Sequence, residues 1–118
     1  MSRPVVVVEP GQGHRFGNVE FLARTTDTPF FNLGIVTLGP GQGVERHVHR
    51  AEDDSFLVLD GTLSVTLGED GREVAAGAGT FVLIPDGTPH AIVNNGATDV
   101  RILNIHAPGG FDRRIGLR

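Results

Sequence analysis

Short runs of β-forming residues, each stopped by glycine or proline, constrain this chain more than any other feature. "FNLGIVTLG" (31–39), "FLVLDGTLSVTLG" (56–68), "TFVLIP" (80–85), "HAIVN" (90–94) and "VRILNIHA" (100–107) are rich in Val, Ile, Leu, Phe and Thr. Such residues suit a pleated, half-buried surface, and the turn residues between the runs fix where the chain reverses. No window of a dozen residues keeps a helical period. The pattern predicts an all-β fold, a sandwich or a closed barrel. Only the tail "GGFDRRIGL" (109–117) is compatible with a short helical turn. "LDGTL" reads as a two-residue hairpin with Asp60-Gly61 at its turn, and "GEDGRE" and "NNGATD" give two more such signals. "PVVVVEP" (4–10) reads as a further short β segment with no partner nearby in sequence. "PGQG" occurs at 10–13 and at 40–43, but the flanks differ and no helix pattern follows, so it is a glycine turn and not a phosphate loop.

A chain of 118 residues fits one domain, 1–118, and buries roughly two-thirds of its unfolded surface. Its chemistry is narrowed by what it lacks. There is no Cys, which excludes disulfides and thiolate sites, and all ten basic residues are Arg, which excludes lysine Schiff bases. Tyr and Trp are absent too, leaving His, Asp, Glu, Arg and hydroxyls. The net charge of −4 and the pI near 5.6 speak against a nucleic-acid partner. The longest N-terminal apolar run is four residues, too short for a signal-peptide core, and no run approaches the roughly 20 residues of a membrane span. The expectation is a soluble cytoplasmic protein with neither membrane nor nucleic-acid partner.

Two of the five histidines stand one residue apart in "GQGVERHVHRAEDDSFLVLDG" (41–61). Side chains at i and i+2 of a strand face the same way, about 6.6 Å apart. His47 and His49 are thus either a converging metal pair or a solvated pair in a polar loop, and alone the dipeptide spacing leaves both open. The surroundings add more. Gly41 is followed by five residues, then His47-Val48-His49, four residues, Asp54, six residues and Gly61. Gly79 is followed by five residues, then Pro85, one residue, Gly87, two residues, His90, three residues and Asn94.

These two stretches, 41–61 and 79–94, resemble the two motifs of the cupin family, once each and in order. The resemblance implies a single small cupin domain, an antiparallel jelly-roll barrel. It also implies a metal site of His47, His49, Asp54 and His90 holding one divalent transition ion, Zn, Ni, Mn, Fe or Cu. At one point the chain departs from the family: Asp54 stands where the motif has Glu. Strict alternation from His49 would turn Asp53 inward, so Asp54 reaches the interior only if a turn intervenes across "RAEDD". Glu52 and Asp53 are then expected on the solvated rim. His14 is expected to be exposed and His106 to be a wall residue, not a fifth ligand. Phe56, Phe81 and Phe111 read as core or pocket lining. Of the adjacent Phe30 and Phe31, only one can face inward on a strand.

Four protein ligands on an octahedral ion leave two positions for a small organic molecule or dioxygen. The implied function is a metal-dependent enzyme of dioxygenase or isomerase type, in which Asp54 could act as base as well as ligand. The other reading is a metal- or small-molecule-binding module without turnover. No catalytic residue beyond the ligands and no organic cofactor site is identified. Small cupins commonly pair, so the resemblance also implies a homodimer, and the valine segment is an edge that a partner barrel would cover.

Overall fold

The computed structural model describes residues 2–117. Ten strands and one helical turn are present: β1 His14–Phe16, β2 Val19–Ala23, β3 Asn32–Leu38, β4 Gly43–His47, β5 Asp53–Asp60, β6 Thr62–Leu67, β7 Arg72–Gly77, β8 Phe81–Ile84, β9 His90–Val93, β10 Val100–Ala107 and α1 Phe111–Arg114. They form two antiparallel sheets, a six-stranded one in the order β1-β2-β3-β10-β5-β8 and a four-stranded one in the order β4-β9-β6-β7. The expected all-β jelly roll with a short C-terminal helical turn is therefore what the chain adopts.

Alternation places the core. Along β3 every second residue is buried, so Asn32, Gly34, Val36 and Leu38 face inward while Leu33, Ile35 and Thr37 face out. Val36 and Leu38 meet Phe56 and Val58 of β5, Leu63 and Val65 of β6, and Val100 and Ile102 of β10 between the two sheets. Burying one such side chain stabilises the fold by about 1.5–3 kcal/mol. This plug of branched residues closes one half of the barrel and leaves the other half for a cavity.

The hairpin readings hold only in part. "GEDGRE" does join a paired hairpin, β6 with β7. Asp60-Gly61 does not: β5 lies in the six-stranded sheet and β6 in the four-stranded one, so this turn is a corner between sheets. "NNGATD" likewise carries the chain from β9 to β10, again between sheets. An Asp-Gly or Asn-Gly pair sets a chain reversal but not which sheet the next strand joins. At the corner Gly61 has φ +81°, and a Cβ there would meet the Asp99 carbonyl at 2.9 Å, so the close approach of 99–100 requires glycine.

The valine segment also departs from expectation. Residues 4–8 pair with no strand among the described residues, and Val5 is 91% exposed. The run has β propensity, but no sheet edge among the described residues receives it. Phe81 is 58% exposed instead of buried, because it points to the outer side of β8, opposite Ile84. Phe56 is core, Phe30 is exposed and Phe31 half-buried.

Candidate metal centre

His47, the last residue of β4, pairs directly with His90, the first residue of β9. The register of β4 against β9 shifts between Val44 and His47. That irregularity and the end of the strand let His49, outside any strand, turn towards the same point. The chain then bends at 50–52 before β5 begins at Asp53. This is the turn across "RAEDD" that alternation required, and it sends Asp54 inward and Asp53 outward.

Pro85-Asp86-Gly87 delivers His90. The Thr88 N–H closes the turn on the Pro85 carbonyl at 3.2 Å, and Gly87 takes φ +80° at its third position. The same turn holds the other half of the site. The Gly87 N–H donates to the His49 carbonyl at 2.7 Å, and the Asp86 N–H donates to Asp53 Oδ1 at 2.9 Å.

One donor atom from each of His47, His49, Asp54 and His90 lies within 4.8 Å of the others. Asp54 Oδ2 stands 3.2 Å from His90 Nε2 and 3.5 Å from His49 Nε2. The other oxygen, Oδ1, accepts from Asn104 Nδ2 at 2.7 Å and lies 3.4 Å from His106 Nε2. The carboxylate is thus held by one oxygen and presented by the other.

The tautomers follow from the partners. His47 Nδ1 faces the Glu45 carbonyl at 2.7 Å and His90 Nδ1 faces the Thr88 carbonyl at 2.9 Å. A carbonyl can only accept, so each Nδ1 carries the proton and each neutral ring turns a bare Nε2 towards the others. His49 Nδ1 faces the Glu52 carboxylate at 3.0 Å, which favours the same tautomer. Once His90 gives up the proton that its Nε2 shares with Asp54 Oδ2, three lone pairs and a carboxylate oxygen converge with no donor among them. Such a set repels itself unless protons or a cation sit between, and rings fixed through Nδ1 are the arrangement metal-bound histidines show. The donor chemistry fits a divalent ion.

Charge states agree with this crowding. Burial alone would raise the Asp54 carboxyl, but the facing His49 and His90, with His106 and Asn104 behind, hold it well below the usual carboxylate range. Burial lowers His47, outweighing the Glu45 carbonyl that favours its protonated form. At His90 burial is overcome by Asp54 and the Thr88 carbonyl, and its pKa is raised. Burial pushes His106 down to about 4 despite the nearby Asp54, so it is neutral in ordinary buffers.

His106 stands outside the group of four, stacked on Phe111 with ring centres 3.6 Å apart, as the wall residue expected. His14 is exposed, also as expected. Glu52 is the correction. Expected on the rim, it is 3% exposed, lies between His49 Nδ1 and the Arg114 guanidinium, and keeps Oε1 without an aligned hydrogen bond. Its partner Arg114 lies on α1, more than 60 residues away in sequence, so no local pattern in "RAEDD" could reveal it. Asp53 alone of the three acids is exposed.

The site opens on a cavity of about 330 Å³. Its walls come from β2, β3, β4, β5, β9 and β10, with Phe111 and Ile115 of the C-terminal segment closing one side. That segment is clamped. Asp112 accepts from Thr25 Oγ1 at 2.5 Å and from the Thr25 N–H at 2.9 Å, and its own N–H donates to Asn32 Oδ1 at 2.8 Å.

Residues 34–106 match the family model described as a cupin domain. The chain is 38% identical over 91 residues to the quercetin 2,3-dioxygenase of Bacillus subtilis, covering 72% of this chain and 26% of that protein. It spans about a quarter or less of the length of the curated relatives it matches. Among solved structures it is similar to KdgF from a Halomonas species, with TM-score 0.70 and 21% identity over 81% of this chain and 84% of that one. A predicted oxalate decarboxylase from Thermotoga maritima gives TM-score 0.69 and 24% identity over 76% and 78%. At such identities these structures speak for the fold alone. The two sheets, the ordered pair of motifs and the matched segment agree, and the chain belongs to the cupin-domain family.

Proposed function

We propose that the protein is a metal-dependent enzyme that acts on a small organic molecule, with dioxygenase- or isomerase-type chemistry. His47, His49, Asp54 and His90 would hold the ion. The observation that carries this reading is the convergence of three imidazole nitrogens and one carboxylate oxygen beside a largely apolar cavity. The likeness to a protein named quercetin 2,3-dioxygenase supports the oxidative branch. A bound ion supplies Lewis-acid polarisation of a substrate oxygen and, if it is redox-active, a place for dioxygen chemistry.

The protein's own residues divide the remaining work. Thr88, Glu45 and Glu52 fix the three rings through Nδ1. Asn104 holds the back oxygen of Asp54. The depressed Asp54 carboxyl stays ionised near neutral pH and available to the ion. Phe111 and Ile115 shield the site from water on the C-terminal side.

Elemental analysis after reconstitution should find close to one divalent ion per chain. Oxygen uptake by the iron form with a panel of enolic compounds then tests turnover. No metal after reconstitution with Zn, Ni, Mn and Fe would sink the reading, and metal without turnover would leave a binding module.

The homodimer belongs to the same proposal. Leu33, Ile35, Leu57, Leu103 and Ile105 lie on the outer side of the six-stranded sheet, half-buried and outside the core cluster, with Phe81 and Leu83 exposed beside them. A second copy seated on this side would cover them. Light scattering should give twice the 12.5 kDa chain mass, and a mass of one chain at high concentration would overturn it.

A further inference from the structure

The cavity beside the four-residue group carries a selection rule for what binds there. Apart from that group, its neighbours Asn104 and His106 and the exposed Asn18, the walls are apolar: Phe21, Val36, Phe56, Ile92, Ile102 and Phe111. Asn32 also reaches the lining, but its amide is committed. It donates to Thr25 Oγ1 and to the Phe31 carbonyl, and it accepts from the Asp112 N–H. Among the described residues no arginine lines the cavity, and the chain has no lysine. Arg114 of α1 is bound to Glu52.

Charge then decides. A divalent ion on one carboxylate and three neutral imidazoles leaves one net positive charge. A singly charged chelating ligand brings the buried centre to zero. A dianion leaves it negative, with no cation in the walls to compensate, and buried charge without a partner is strongly disfavoured. Hydroxyls or phosphates carried inward past the exposed Asn18 would face Phe, Val and Ile, with no hydrogen-bond partner to replace water.

Building on the metal site proposed above, we infer that the ligand is a monoanionic oxygen–oxygen chelator with an apolar body, such as the enolate of an aromatic or aliphatic β-diketone or hydroxyketone, and neither a dicarboxylate nor a sugar acid nor a sugar phosphate. The enol O–H breaks on binding, its oxygen meets the ion, and its proton leaves to bulk water. The body lies against Phe21, Ile102 and Phe111.

Cobalt(II)-loaded protein tests this by its visible absorption, titrated separately with benzoylacetone, acetylacetone and oxalate. Each dissociation constant is divided by that of the same compound for aqueous cobalt, which removes intrinsic chelation strength. Benzoylacetone should exceed acetylacetone by about 10-fold or more, the contribution of a buried apolar ring. Oxalate should rank last after normalisation. Phe111→Ala should reduce the advantage of benzoylacetone over acetylacetone, read as the ratio of the two normalised constants. If that variant fails to fold, Ile102→Val provides the smaller version of the same change. Oxalate ranking first, or equal binding of the two diketones, overturns the inference while the metal reading stands. A protein that takes up no cobalt overturns both, and the missing cobalt spectrum tells the two failures apart.

Discussion

The two halves of the candidate metal centre are built differently. His90 comes from a regular strand, follows a closed Pro-Asp-Gly turn, is 3% exposed and has its Nδ1 fixed by the carbonyl two residues before it. Everything it needs lies within six residues. The other half, 47–54, runs from a strand with a register shift through a bend, and its rings stay half-buried. It is held from outside: His49 by the Gly87 N–H and by Glu52, Glu52 by Arg114 of α1, Asp54 by Asn104 of β10. A ligand on a rigid local frame is costly to lose and hard to disturb from afar. Ligands on a bent segment are sensitive to residues that never touch the ion.

The largest effect should come from His90. Its surroundings are buried, so no water readily takes its place, and His90→Ala should weaken metal binding by well over 100-fold, beyond the 10–100-fold typical of outer partners. His47→Ala should cost less, because at that half-exposed position a water can fill the gap. Competition against a coloured chelator measures both, and an equal or larger loss at His47 would break the contrast. Asp54→Asn should also exceed 100-fold, since it removes the only charge offered to the ion.

Next come the outer supports of the bent half. Glu52→Gln and Arg114→Gln should each weaken metal affinity by about 10–100-fold, and together by less than the product, because they act through one ring. A structural role alone would lower the melting temperature and spare affinity. Changes under about 3-fold for both would show that His49 needs no help and would remove the asymmetry. Metal uptake should also depend on pH in a direction set by His90. Its folded pKa is raised above 6.5, so in the metal-free protein it keeps a proton that the ion must displace. Apparent affinity should therefore keep rising as pH climbs past 6.5, and it should level off only once His90 is deprotonated. Isothermal titration at several pH values checks this, and affinity already flat at 6.5 contradicts it.

How legible was this in the sequence? The second half of the site was almost fully so, because the turn, the strand start and the face shared by His90, Ile92 and Asn94 are local. The first half was legible to the level of which residues converge: the bend across "RAEDD" turns Asp54 inward as required. What escaped was long-range. Glu52 reads as a rim acid until Arg114 arrives from the C-terminal segment. Two of the three hairpin signals turned out to be corners, because the choice of sheet is made by distant strands. The valine run has the propensity of a strand and lacks a partner within the described residues, which propensity cannot foresee.

The three consecutive acids sharpen the comparison at its small end. Asp54 faces the candidate ion site, Glu52 backs His49, and Asp53 points out and accepts the Asp86 N–H across the two halves. Asp53 is exposed, so water can replace it, and a single hydrogen bond of this kind contributes about 0.5–1.5 kcal/mol. Asp53→Ala should lower the melting temperature by only a few degrees, in line with about 4–8 °C per kcal/mol for domains near this size. Asp53→Asn should be nearly silent, because its amide oxygen still accepts. Neither should move metal affinity more than about 3-fold, since the Gly87 N–H to the His49 carbonyl still joins the two halves. A large affinity loss in Asp53→Ala with a small stability loss would mean that the side-chain bridge, and not the backbone one, sets where His49 sits.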